Sequence, residues 1–499
     1  GSSSMNDSQV FVARPAAGTR WGTPPYDPPV RFPQQAEGAA GDNHVYASVT
    51  HLLAAMGPDS EGRGCASWNP LGDLVGPGGC IVLKPNMVRH CHGSAGPLEA
   101  VVTDPRLIRA VLDLAVRAVA PGGEVVLADS PLQSCDFPAL VAALHLREMI
   151  QAQPCRDVRV RILDYRREAV IKGPDGLIVR RTPLAGDPDG YVAVDLGSES
   201  ALKNLVSPRR AFRVTQYDRT VLARHHDGLR HEFLVPRSLL AADLVVSLPK
   251  LKTHRKAGLT GALKNLVGIN GAKSWLPHHR SGSLSEAGDE YRYRCLRKRA
   301  MSRIWERMDR SPSPGARRFL NLVQDLIRRS GSIWPFPDPY FEGSWWGNIT
   351  LPAMVCDLNR IIMYARKNGE LASRPCRRLL VLVDGLMAGE GEGPLEPTPR
   401  YLGVLMAGFN PVAVDWAAAT MMGFDPVRLP ILTCPLVPHR RPLVNFDPST
   451  LQVGEVSSDG MVRFSSLLDL ASAVERPFVP PSGWRGHVEA VPSGMARSA

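Results

Sequence analysis

The sequence predicts an α/β protein with a largely parallel sheet built from βαβ units, an antiparallel β elaboration and a helical insertion. Three observations carry this. Short apolar runs bounded by Gly and Pro recur along the chain, as buried strands do. An amphipathic helical pattern stands between two of them at crossover spacing, which implies parallel pairing. Residues 155–240 instead carry shorter, alternating segments with turns at "GPDG", "GDPDG" and "HHDG", the pattern of antiparallel strands.

The elements follow in order. The opening "GSSSM" reads as a cloning remnant. Residues 1–40 are rich in Pro, Gly and Ala and read as a flexible N-terminal arm. The first part of the α/β core is expected over 41–285. In it "NHVYASVTHLLAAMG" has helical spacing, and "GGCIVLKPN" is a strand entered from glycines and stopped by Pro85. "DPRLIRAVLDLAVRAVA" is a helix with Asp104 as cap and Pro105 in its first turn. "EVVLADS" and "ADLVVSLPK" are further buried strands. Residues 286–345 read as a basic helical insertion carrying eleven arginines between 291 and 330. The core resumes over 346–475 with the helix "MVCDLNRIIMYA", the strand and loop "RRLLVLVDGLMAGEGEGP" and the helix "NPVAVDWAAATMMG", where Asn410 is the N-cap and Pro411 opens the helix. Residues 476–499 read as a peripheral tail.

The 499 residues carry a formal charge of +11, which favours anionic partners without choosing among them. Nine cysteines lie scattered with no C-x-x-C spacing, which argues against an iron–sulfur cluster or zinc ribbon. Their odd number fits a reducing, cytoplasmic setting. No apolar run approaches the roughly 20 residues of a transmembrane helix. No nucleic-acid module signature is present.

Four apolar runs each lead into polar residues. "CIVLK" ends at Lys84-Pro85-Asn86, and "EVVLA" at Asp129-Ser130. "DLVVS" leads to Lys250, Lys252 and His254, and "LLVLV" to Asp384, Glu390 and Glu392. Parallel sheets bind ligands outside their carboxyl ends, so neighbouring strands would bring these residues to one cleft. Singly, each is as well explained by a turn or a helix cap. In "LPKLKTHRKAGLTGALKNLVGIN", Lys250 and Lys252 would share one face of an extended backbone. "AGLTGALKNLVG" reads as a helix start whose N–H groups, with Thr260, would hold an anion next to Lys264 and Asn265. The acids of "DGLMAGEGEGP" suit either a divalent cation or general acid–base work, against the plain alternative of a solvated turn. The crowded histidines lack any metal-site spacing and read as loop residues.

The segments "VLKPNMV", "TDPRLIRAVLDLA", "VVSLPKLKTHRKAGLTGALKNLVGI", "VDGLMAGEGEGP" and "GFNPVAVDWAAATMMG" resemble, in this order, the family called domain of unknown function 362. The resemblance covers about 45–430, outside the helical insertion. It implies motif positions at Lys84, Asn86, Thr103, Lys250, Lys252, Thr253, His254, Lys264, Asn265, Asp384, Glu390 and Asp415. Some relatives carry an added iron–sulfur module, which this chain lacks. The resemblance also implies an Asp where this chain has Ile349, before Thr350.

The expected function is an enzyme that binds a small phosphorylated or polycarboxylate anion. Lys84, Lys250, Lys252 and Lys264 would neutralise it, with Asn86, Thr103, Thr253, Thr260 and Asn265 around it. His254, Lys252, Asp384 and Glu390 are the expected catalytic residues, and Asp384, Glu390 and Glu392 the expected ligands of Mg²⁺ or another divalent cation. A metal-independent isomerase or epimerase with Lys and His as acid–base partners is the alternative. A non-catalytic protein at an anionic surface, in peripheral contact with a membrane through the arginine-rich insertion, is the rival from another class.

Overall fold

The computed structural model describes residues 7–16, 18–29, 41–57, 67–207, 211–331 and 340–490. Its main sheet has eleven strands: β1 (Gln9–Ala13), β2 (Cys80–Pro85), β3 (Glu124–Asp129), β4 (Arg159–Asp164), β5 (Leu244–Leu248), β6 (Lys250–His254), β7 (Gly258–Thr260), β8 (Arg378–Glu390), β9 (Thr398–Gly408), β10 (Gln452–Val456) and β11 (Val462–Ser466). The order is β11-β10-β1-β9-β8-β5-β2-β3-β4, with β6 pairing with β7 and with the second half of β8. The five strands β4, β3, β2, β5 and β8 are mutually parallel. The fold is therefore mixed α/β with a largely parallel main sheet. Antiparallel pairs stand beside it at Glu168–Lys172 with Ile178–Pro183 and at Tyr191–Asp195 with Glu232–Pro236.

The apolar runs are unbroken because both faces of the sheet are covered. Ile81, Leu83, Val125 and Leu127 face helices α1 (Val45–Ala55) and α2 (Pro105–Val119). Val82, Val126, Val245 and Val381 lie in the core on the other side, with α3 (Ala262–Asn265), α6 (Thr350–Tyr364) and α7 (Pro411–Met421). The caps expected from the sequence are present. The Asp104 carboxylate accepts from Arg106 N, and Asn410 Oδ1 accepts from Val412 N and Ala413 N. The basic insertion forms the antiparallel-sequence pair α4 (Leu296–Arg310) and α5 (Pro314–Ser330).

Both ends of the chain depart from expectation. The segment "QVFVA" enters the sheet as β1, antiparallel to β9 and parallel to β10, with Val10 and Val12 buried. Arginines of α2 hold the stretch after it: Arg109 pairs with Asp27 at 2.9 Å and donates to Pro25 O, while Arg106 donates to Gly18 O. The arm is thus part of the fold where it is described, and its residues 1–6, 17 and 30–40 lie outside the described residues. The tail is likewise packed over 476–490. Phe478, Trp484 and Val488 are buried, and Trp484 Nε1 donates to Arg255 O at 2.7 Å. Apolar anchors spaced among Pro and Gly escape a reading based on composition. Residues 491–499 lie outside the described residues.

Candidate functional site

The four runs singled out in the sequence are adjacent in the sheet, in the order β3-β2-β5-β8. Beyond the ends of β2, β3 and β5 lies a cavity of about 310 Å³, completed by β6, α3 and the loop that follows it. Its base is a closed polar network. Lys84 Nζ meets Asp129 Oδ1 at 2.7 Å, Pro85 O at 2.9 Å and Asn265 Oδ1 at 3.2 Å, which uses all three of its donors. Asn265 Nδ2 donates to Lys84 O and Ser247 Oγ, and Asp129 also accepts from Met87 N and Ser130 N. This network ties three strand ends to α3. Gly268 is needed for it, because a Cβ there would fall 2.1 Å from Asp129 Oδ1 and 2.7 Å from Lys84 Nζ.

Above this base the charges do not balance. Lys252, Lys256, Lys264 and Lys273 line the cavity. Lys252 is fully buried and its ammonium has one acceptor, Val101 O at 2.6 Å. Among the described residues, Lys256, Lys264 and Lys273 meet no carboxylate within ion-pair distance. The two acids of the lining, Asp129 and Glu342, are engaged by Lys84 and by Thr215 Oγ1. Burial, then the neighbouring ammonium groups of Lys250 and Lys264, hold Lys252 well below its ordinary value. Burial, then Lys84 and Lys256, push Lys264 down to about 8. Burial, then Lys172, Lys256 and Lys264, bring Lys273 to about 7. Like charges this close disfavour the protonated state of each, and a bound anion reverses the sign of that interaction.

Two histidines face the same cavity in opposite tautomers. His254 Nδ1 accepts from Lys256 N at 3.1 Å and Ala257 N at 3.2 Å, so the neutral ring carries its proton on Nε2. His278 Nδ1 lies 2.8 Å from Leu276 O and must donate to it, which leaves its Nε2 as an acceptor. Burial first, then the lysines, hold both rings neutral, well below the ordinary histidine range. One ring can give a hydrogen bond and the other can take a proton. A neutral His254 thus presents an N–H at Nε2, and a neutral His278 an unprotonated Nε2.

The helix start does bind an anion, but from within the chain. Asp415 on α7 accepts from Ala262 N at 2.6 Å and Leu263 N at 2.9 Å at the first turn of α3. Burial raises its pKa to about 7. Gly261 makes this approach achievable, since a Cβ there would lie 2.1 Å from Asp415 Oδ1. The expected anion site on those N–H groups is therefore filled. Thr260, 4% exposed, keeps its place in the cavity wall with a hydroxyl that has no hydrogen-bond partner.

Of the expected site residues, the structure brings Lys84, Asn86, Lys252, His254, Thr260, Lys264 and Asn265 to the cavity. The others lie behind it. Lys250 is closed off by Asp384 at 2.6 Å, both fully buried, and Asp384 also accepts from Asp104 N and Leu386 N. Thr103 Oγ1 donates to Leu248 O, and Thr253 Oγ1 donates to Gly391 O. The acids do not converge. Strand β8 continues past Asp384 as a long hairpin with β9 and carries Glu390 away from the cavity. Glu390 there meets Arg400 and Arg476, each at 3.0 Å, and Glu392 meets Arg255 at 2.9 Å and Ser482 N at 2.7 Å. These acids pin the tail, so the expected carboxylate wall and its three-acid cation site are not assembled. Among the described residues no cluster of three or more His, Cys, Asp or Glu has metal-site geometry. Ile349 stands just before α6, where the Asp289 carboxylate accepts from Ile349 N, Thr350 N and Thr350 Oγ1. The acid implied for that position is supplied from the insertion.

Fold and site define an α/β protein with a cluster of lysines lining a cavity beside the ends of its parallel strands. The chain belongs to the family described as Domain of unknown function (DUF362), whose model matches residues 81–187 and 170–420. It is similar to a thylakoid-associated protein of Synechocystis sp., at 23% identity over 255 residues. That match spans 50% of this chain and 54% of the relative. A crystal structure of a protein from Thermotoga maritima matches with a TM-score of 0.29 and 11% identity, over 77% of this chain and 60% of that one. No helix among the described residues is long and apolar enough to cross a membrane.

Proposed function

We propose that the protein is an enzyme that binds a small phosphorylated or polycarboxylate anion in the lysine-lined cavity and moves a proton on it. One observation supports this reading: four lysines besides Lys84 line one cavity, whose two acids hydrogen-bond to Lys84 and to Thr215. Ammonium groups gathered in one cavity repel one another, and an anion among them relieves that repulsion. Lys252, Lys256, Lys264 and Lys273 neutralise the anion, and the Thr260 hydroxyl and Asn86 orient it. His254 donates a hydrogen bond to an oxygen that gains charge, and His278 takes the proton. The opposed tautomers of these histidines favour isomerase or epimerase chemistry over phosphoryl transfer. A divalent cation, in this reading, enters with the ligand's phosphate oxygens, since Asp384, Glu390 and Glu392 each face a basic side chain. The described cysteines are free thiols, in keeping with a cytoplasmic setting.

The test is a thermal-shift screen of phosphorylated and polycarboxylate metabolites, with and without Mg²⁺, followed by titration calorimetry of the hits. Stabilisation of the parent protein that disappears in Lys264→Met is the expected result. If no such anion stabilises the parent, or if Lys264→Met responds equally, the cavity is not the binding site. His278→Gln is expected to keep ligand binding and lose turnover of the identified compound.

A further inference from the structure

Helix α5 is turned the wrong way round for a soluble protein. Helices on a protein surface ordinarily bury their apolar stripe and expose their polar one. In α5 one row of polar side chains faces inward. Gln324 is buried, and Arg317, Asn321, Asp325 and Arg328 line a second cavity of about 210 Å³ against the turn at 175–178 and helix α4. Arg317 Nη1 donates to Ile178 O, and Asn321 Nδ2 donates to Asp175 O. The opposite face carries Phe319, Leu322 and Leu326, which are 67%, 63% and 62% exposed. Their i, i+3, i+7 spacing makes one ridge along the helix. Leu296, at the start of α4, is 82% exposed.

The charges around the ridge select its partner. Residues 294–329 hold eleven basic and three acidic residues, of which Lys298 is buried and Arg317 faces the second cavity. Arg318 and Arg329 are exposed on α5, and Arg303 and Arg307 on α4. A second copy of the chain related by a twofold axis would set such arginines against their own equivalents, which like charges oppose. A surface that joins apolar depth to negative charge satisfies both features.

We propose that α5 docks on an anionic phospholipid bilayer, with Phe319, Leu322 and Leu326 in the acyl boundary and the arginines on lipid phosphates. The docking is independent of the lysine cavity.

Co-sedimentation of the full chain with vesicles tests this. Binding is expected to phosphatidylcholine mixed with phosphatidylserine, to be weak on phosphatidylcholine alone, and to fall as salt rises. The triple variant Phe319→Ser, Leu322→Ser, Leu326→Ser is expected to lose tenfold or more in vesicle affinity. It should keep the parent's thermal response to cavity ligands. Arg318→Glu with Arg329→Glu leaves the ridge intact and is expected to weaken binding to mixed vesicles similarly, which keeps the test decisive if the triple variant does not fold. Equal binding by parent and variants overturns the proposal. So does sedimentation equilibrium showing a parent dimer that the triple variant abolishes, because the ridge would then be covered by a second copy.

Discussion

Lys250 and Lys252 stand two residues apart on one strand, both fully buried, and are satisfied in opposite ways. Lys250 has a carboxylate at 2.6 Å, and that carboxylate takes two backbone N–H groups besides. Lys252 has one carbonyl and a set of ammonium neighbours. The first arrangement is complete without a ligand. The second, in the reading proposed above, is completed by an anion. Burial is the same in the two cases, so it does not separate them; the partners do.

Breaking the closed pair is expected to have the largest effect. Asp384→Ala strands a buried ammonium and should cost about 3–5 kcal/mol in urea unfolding. The double variant Lys250→Met, Asp384→Leu should recover most of it. Ligand affinity in any folded fraction should stay near the parent's, and a site-specific loss there would erase the contrast. The open cluster should behave in the opposite sense. Lys264→Met removes a repelled charge and is expected to raise the unfolding free energy by roughly 1 kcal/mol, with allowance for its part exposure, while lowering anion affinity tenfold or more.

The pH dependence follows from the same asymmetry. Lys264, near 8, and Lys273, near 7, lie below the ordinary lysine value of 10.5. Between about pH 7 and 10.5 the unfolded chain binds more protons at these positions, so their contribution to stability rises with pH through that window. A bound anion favours the ammonium forms. Binding should therefore take up protons near pH 8 and weaken by about tenfold per pH unit above it for each proton taken up. Calorimetry in buffers of different ionisation enthalpy reads this directly, and binding without proton uptake would place the anion elsewhere. The smallest effect belongs to the tail. Glu390→Gln weakens its contacts to Arg400 and Arg476 and should cost about 1 kcal/mol or less, seen as faster proteolysis after 476 with ligand affinity unchanged.

The sheet was readable because its strands are uniform apolar runs; that the four singled out lie side by side was an assumption from the sequence, which the pairing β3-β2-β5-β8 bears out. Lys84 and Asn86 were readable as residues at a strand end, and Lys252, Thr260, Lys264 and Asn265 from the lysine-bearing strand and the helix start that follows it. The acids misled because a run such as "LLVLVDGLMAGE" gives no sign that it continues as one strand through the glycines. Only pairing with β9 decides that, and pairing is a long-range property. Lys273 and His278 were missed because they lie on a loop without periodicity. Their role comes from where the chain folds back, as does that of Asp415, which reaches α3 from some 150 residues away.

The position of β1 has a consequence for how the chain is made. Its neighbours β9 and β10 lie some 390 to 450 residues further along the sequence. A nascent chain therefore exposes the apolar strand "QVFVA" until some 390 to 450 further residues have been made and the sheet can close around it. Such long-range pairing is slow, and the waiting strand is an aggregation hazard. Expression yield and solubility should thus respond more to changes at Val10 or Val12 than to equally buried substitutions in β3, whose partners β2 and β4 lie within about 50 residues.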